Sequence, residues 1–268
     1  MDKIISLKRY ICGSEEFNFS ELYRNCTIGT KNLPVNVFML EHKRQGTILI
    51  NTGCSRLLRQ NPTAFAKLLM RSKLSFKNDD GICSLLSAEK TDPICVRKVL
   101  LSHCDPECCG ALPLLPKYEL ISGAQVLSVL WYADASDRIM KSTLPPAGIP
   151  KRAAGIFKGK TFLSQYFKWV YDIFNDGSIL AVDISGHAKA MVGFYLPEKK
   201  IFFAADASID ETSIEQPLIP SDKLLGKQFY PDDYLSVLIT LRRIHKEHPE
   251  IRFLFSHSES AITFPVTE

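Results

Sequence analysis

The chain has 268 residues, with 33 Lys and Arg against 29 Asp and Glu, and a net charge of only +4. Hydrophobic residues make up 46% and charged residues 23%, which excludes a disordered, collagen-like or disulfide-dense chain. No basic run exceeds two residues and no apolar stretch reaches the roughly 18 residues of a membrane span, so neither nucleic acid nor membrane is expected as a partner.

In chain order, the segment Met1 to Lys8 lacks the apolar core and small-residue cleavage site of a secretory signal. A cytoplasmic protein is expected. Its eight cysteines, Cys12, Cys26, Cys54, Cys83, Cys95, Cys104, Cys108 and Cys109, are then expected to be reduced, the first five as mostly buried apolar residues. Strand-like runs cover 35–41 and 46–51, and the polar turn His42-Lys43-Arg44-Gln45 between them predicts a β-hairpin. Helix formers with Pro62 near the start predict a helix over 62–74. A buried strand is expected at 96–102, a short apolar helix or turn at 110–116, and a strand from Tyr118 to Ser122.

Residues 143–160 are rich in Pro, Gly and Lys and read as a long surface connection. The aromatic stretch 157–174 reads either as core filling or as one wall of an acyl or aromatic pocket. Strands then resume at 179–184, 190–196, 201–206 and 251–257. A helix over 231–247 places Leu235, Leu238, Leu241 and Ile244 on one face. Two runs of strands, each followed by helices, predict an α/β fold: an αββα sandwich of two mixed sheets flanked by helices, as a single domain over 1–268.

Four of these strands end in residues that can bind a metal. The strand at 96–102 runs into His103, Asp105, Glu107 and Cys108, the one at 179–184 into His187, the one at 201–205 into Asp206, and the last into His257. Histidines and carboxylates with one Cys suit zinc or iron rather than calcium. The other histidines, His42, His245 and His248, fall on polar turns or an exposed helix face and read as solvated.

From about residue 35 to 258 the sequence resembles the metallo-β-lactamase-fold hydrolases, most of all their lactonase-like branch. The family's Asp-Thr-Gly strand end corresponds to Asn51-Thr52-Gly53, and its His-x-His-x-Asp-His-x-Gly motif to the segment from His103 through Cys108 to Gly110. Its Gly-His turn corresponds to Gly186-His187, its Gly-Asp turn to Ala205-Asp206, and its last Gly-His to Ser256-His257. The resemblance implies one or two zinc ions, with iron or manganese as substitutes. The first ion would be held by His103, Asp105 and His187, the second by Glu107, Cys108 and His257, with Asp206 bridging. Asp105, Glu107 and Cys108 replace a His, an Asp and a His of the motif, and Asn51 replaces an Asp behind the ligands.

The implied activity is hydrolysis of a small-molecule lactone, ester or thioester by metal-activated water, with Glu107 or Asp105 taking the proton. The alternative is a metal-poor or metal-free relative that kept the fold and serves binding or non-hydrolytic acid–base chemistry. A cysteine nucleophile beside His103 is a third reading, and no oxyanion-hole signature accompanies it.

Overall fold

The computed structural model describes residues 2–60, 74–77, 81–132 and 139–260. The helix expected over 62–74 lies, except for its last residue, outside the described residues. The larger sheet runs in the spatial order β5 (Leu74–Ser75), β1 (Ile4–Asn18), β3 (Thr30–His42), β4 (Gly46–Ile50), β6 (Val96–Leu100), β7 (Glu119–Ser122) and β8 (Lys151–Ala153). The second sheet runs β15 (Arg252–Leu254), β13 (Ile201–Phe203), β12 (Val192–Leu196), β11 (Leu180–Asp183), β10 (Val170–Asp172) and β9 (Gly155–Ile156). A two-stranded ribbon pairs β14 (Ile219–Pro220) with β2 (Tyr23–Arg24). The predicted hairpin is β3–β4, closed at His42 and Gly46.

The second sheet is buried on both faces, which is why its strands read as continuous apolar runs. Side chains alternate along each strand. Val192, Phe194, Leu196, Ile201 and Phe203 enter the core between the two sheets. Tyr195, Phe202, Leu180 and Val182 face the other way, into a second core. The helix Pro231–Glu247 covers that outer face with Tyr234, Leu238, Leu241 and Ile244. Tyr234 occupies the place expected for Leu235, which is only half-buried. The aromatic stretch 157–174 is mostly core: Phe157, Phe162, Tyr166 and Phe167 pack on the second core and Tyr171 and Phe174 on the first. Trp169 is half-exposed.

Three expectations are corrected. No strand was expected before residue 35, yet β1 pairs with β3 from Ile4 opposite His42 to Asn18 opposite Thr30. Two register shifts interrupt it, and its early buried residues fall at Ile4, Leu7 and Tyr10. That spacing hides a strand from a test for alternation. Second, the stretch 143–160 is not a plain connection. It contributes β8 to the edge of one sheet and β9 to the edge of the other; short Lys- and Gly-bearing segments suit exposed edges. Third, His42 is not solvated but 2% exposed.

His42 ties the two sheets together. Its Nδ1 accepts the backbone N–H groups of Arg44 and Gln45. Its proton therefore sits on Nε2, which donates to Ser178 Oγ at 3.0 Å. Burial pulls its pKa below the ordinary 6.5, against the opposing influence of Asp176 and Glu198. The unfolded chain thus takes up the proton first. The stability this neutral His contributes is present above pH 6.5 and is lost as the pH falls from there through the lowered folded value. Urea midpoints recorded over that window should fall in the parent and fall less steeply in a His42→Asn variant.

All eight cysteines are free thiols. Cys12 and Cys54 are buried, whereas Cys26, Cys83 and Cys95 are only partly so. Among the described residues no helix is long and apolar enough to cross a membrane.

Candidate metal centre

β4, β6, β7 and β8 run parallel, as do β13 and β15. Their carboxyl ends open on one rim, where α/β sheets place their ligands. Backbone bonds join the two sheets just there: Val192 N donates to Ser102 O and Asn36 N to Ser256 O, both at 2.9 Å. His103 follows β6 and is fully buried. Asp105 precedes the short helix Pro106–Cys109, which carries Glu107 and Cys108. Thr52 anchors that helix, its N–H and hydroxyl both donating to Cys108 O. Asp105 leaves the helix end uncapped by its side chain and turns its carboxylate toward the histidines instead.

His187, Asp206 and His257 enter from the second sheet. Gly186 has φ +147°, and a Cβ there would lie 2.5 Å from Tyr234 N and 2.6 Å from Tyr234 Cα. Only glycine lets the His187 loop lie against the start of the long helix. The turn before Asp206 uses Ala205 at φ 47°. A left-handed alanine costs roughly 1–2 kcal/mol where glycine would cost little.

Asp206 divides the site. Its Oδ2 lies 3.0 Å from His103 Nε2 and 3.9 Å from Cys108 Sγ. Its Oδ1 lies 3.6 Å from His257 Nε2. Asp105 Oδ2 lies 3.3 Å from His187 Nε2 and 4.0 Å from His103 Nε2. Two sets of possible ligand atoms each fall within 4.8 Å: His103, Asp105 and His187, and His103, Cys108 and Asp206. Cys108 therefore stands on the His103 side of Asp206, not beside His257.

The tautomer of each histidine is set from behind. Ser102 Oγ donates to Asn51 Oδ1 at 2.9 Å and so accepts from His103 Nδ1 at 3.0 Å. Gln228 Nε2 donates to Leu224 O, leaving Oε1 to accept from His187 Nδ1 at 3.0 Å. Pro34 O, a pure acceptor, takes the proton of His257 Nδ1 at 2.9 Å. With Nδ1 so engaged, all three Nε2 atoms face carboxylate oxygens, as donors when the ring carries a second proton and as acceptors when it does not. Two acceptors at such range repel unless a proton or a cation lies between them.

The carboxyls respond to this crowding. Burial raises Asp206, but its hydrogen bond to His103 and the charges of His103, His257 and His187 outweigh it and hold the carboxyl well below the usual range. Glu107 is pushed far up by burial and then by Asp105, Glu15 and Asp206. Cys108 is pushed far up by burial, Asp206, Glu107 and Asp105. Glu107 Oε2 and Asp206 Oδ1 are buried without a hydrogen-bond partner. Cys104 and Cys109 give nothing to a nucleophile: their thiols bond to Val126 O and to Cys104 O and Thr143 Oγ1.

Six of the side chains named from the sequence are joined by these distances, and Glu107 is buried on the short helix that also carries Cys108. One more was missed. Glu15 of β1 is 6% exposed and places Oε2 3.9 Å from His257 Nε2. The pair Glu15-Glu16 in a strand-like run was the available signal, and it meant nothing until β1 itself was seen.

No family model matches the chain, and no curated protein matches it in sequence. Solved structures do match it in shape. An N-acyl homoserine lactone hydrolase, with the product N-hexanoyl-L-homoserine bound at its catalytic metal centre, superposes with TM-score 0.69 at 17% identity, over 97% of this chain and 95% of that one. A probable metal-dependent hydrolase from Staphylococcus aureus gives 0.66 at 11%, over 98% and 92%. A hydrolase of the β-lactamase superfamily, AbOPH, gives 0.63 at 10%, over 96% and 91%. By these superpositions over nearly the whole of its length, the chain has the metallo-β-lactamase fold.

Proposed function

We propose that the protein is a metal-dependent hydrolase of a lactone, ester or thioester. The observation that carries this reading is the convergence of three preset histidine Nε2 atoms on buried carboxylate oxygens, one of which, Asp206 Oδ1, has no hydrogen-bond partner. Nitrogen and oxygen donors in that number fit zinc, iron or manganese. His103, Asp105, His187 and Asp206 would hold one ion, with Cys108 on the same face of Asp206, while His257 stands toward a second. A bound cation would polarise the substrate carbonyl and acidify water. Glu107 takes the proton in this scheme, because its Oε2 is uncommitted. Asp105, paired with His187, sets the ring that faces the substrate side, where the His187 side chain is 20% exposed.

N-acyl lactones are the first substrates to test, since the lactone hydrolase of the same fold binds such a product at its metal centre. Protein purified without added metal should contain zinc, iron or manganese and should hydrolyse one of an N-acyl lactone, an aryl ester and an acyl thioester. Chelation should abolish the activity and the same metal restore it. Metal-free protein that still turns over would establish the alternative, a relative working by binding or acid–base chemistry alone. That alternative draws on Glu107 and Cys108, which burial holds neutral when no cation is near.

A further inference from the structure

Behind the rim, a small cavity lies between the two sheets. Four polar residues line it, Asn36, Asn51, Ser102 and Ser256, among apolar side chains of both sheets and no charged one. None of the four is more than 5% exposed. The cavity measures about 10 Å³, room for about one water molecule. Two of these residues carry a buried polar atom without a partner, Asn36 Oδ1 and Ser256 Oγ. Native folds seldom leave such atoms unsatisfied. Turning the Asn36 amide over is no remedy: its Nδ2 donates to Ser258 O at 2.9 Å, and a flip would set oxygen against oxygen. Ser102 is already occupied, its hydroxyl shared between Asn51 and His103.

We propose that this cavity is the binding site of one internal water, which donates to Asn36 Oδ1, shares a hydrogen bond with Ser256 Oγ and braces the loop that carries His257. Two orphaned oxygens meet the lower limit of the roughly two to four partners a buried water takes. Asn51 offers a third: its Oδ1 accepts from Ser102 N and Oγ, so its NH2 group is left to donate. The uncharged lining suits water over an ion, because a buried charge needs a counter-charge. Position gives the site its consequence. Asn36 grips the loop on both sides of His257: its N–H donates to Ser256 O and its Nδ2 to Ser258 O, both at 2.9 Å. The water adds a third tie, from the same side chain to Ser256 Oγ. On its other side it adjoins Asn51 and Ser102, the pair that sets the His103 ring. One water thus stands behind histidines brought in by both sheets. Its site does not depend on what binds in front of them.

Crystals of the intact chain decide the occupant. Solvent density should show one peak within hydrogen-bond distance of both Asn36 Oδ1 and Ser256 Oγ. No peak there, or a Ser256 hydroxyl turned to bond Asn36 Oδ1 directly, would overturn the assignment. Amide hydrogen exchange tests the brace. The Asn36 N–H, which donates to Ser256 O, should exchange about fivefold to tenfold faster in Ser256→Ala, the effect of losing roughly one hydrogen bond. The Ile184 N–H, bonded to Met191 O elsewhere in the second sheet, should keep its rate. Unchanged exchange at Asn36, or equal acceleration at both amides, would overturn the bracing role. Should Ser256→Ala not fold, the crystals of the parent decide alone.

Discussion

On the metal-dependent reading, Asp206→Ala should remove bound metal and hydrolysis together. The carboxylate is the one group that faces both halves of the site, with Oδ2 3.0 Å from His103 Nε2 and Oδ1 3.6 Å from His257 Nε2. It also supplies the strongest anion there, held ionised by the surrounding histidines against the cost of burial. Without it, His103, His187 and His257 keep their hydrogen bonds to Ser102, Gln228 and Pro34 but have no common counter-charge. Elemental analysis should find close to no metal. The specificity constant should fall on the order of 1,000-fold or more, about 4 kcal/mol of transition-state stabilisation. A variant that retains its metal and its rate would remove Asp206 from the centre of the mechanism.

Gly186→Ala should be strongly destabilising for a change of one methyl group. Two effects add: the backbone at φ +147° is one that side chains rarely adopt, and the new Cβ would sit 2.5 Å from Tyr234 N. The obstacle is helix backbone, which cannot swing aside as a side-chain end can. Gly148 separates the two effects, because it has φ +84° with nothing within 4 Å of an added Cβ. Gly148→Ala should cost about 1 kcal/mol from the backbone alone. Gly186→Ala should cost about 3 kcal/mol or more. Urea denaturation of both variants measures the difference. Metal retention should fall in Gly186→Ala as well, since His187 is the next residue. Equal losses in the two variants would show that the contact with Tyr234 carries no weight.

The legible parts of this protein are those governed by local rules. The hairpin β3–β4 has two apolar runs and a polar turn ending in glycine, so its pairing needs no distant partner. The long helix has Pro231 in its first turn, acidic residues beside it, and His245 and Lys246 in its last turn. His103, His187, Asp206 and His257 could be named because each follows an apolar run that both cores cover. β1 was hidden by its register shifts. β8 and β9 were hidden because two- and three-residue edge strands have almost no pattern of their own.

His42 shows the limit from the other side: a turn with Lys43, Arg44 and Gln45 reads as solvated, and only the approach of Ser178 from the second sheet buries it.

By itself the sequence determined that two runs of strands build a two-sheet α/β sandwich, and that ligand-type residues close several of those strands. Those properties follow from side-chain alternation and from turn chemistry, both readable within a few residues. Only the tertiary structure decided how these residues are shared out: Cys108 beside His103, Glu15 beside His257, and Asp206 between them. Glu15 and His257 are brought together by a ladder between β1 and β3 and a backbone bond from Asn36 to Ser256. Contacts of that sequence separation depend on how whole sheets stack, and no local pattern of residues encodes them.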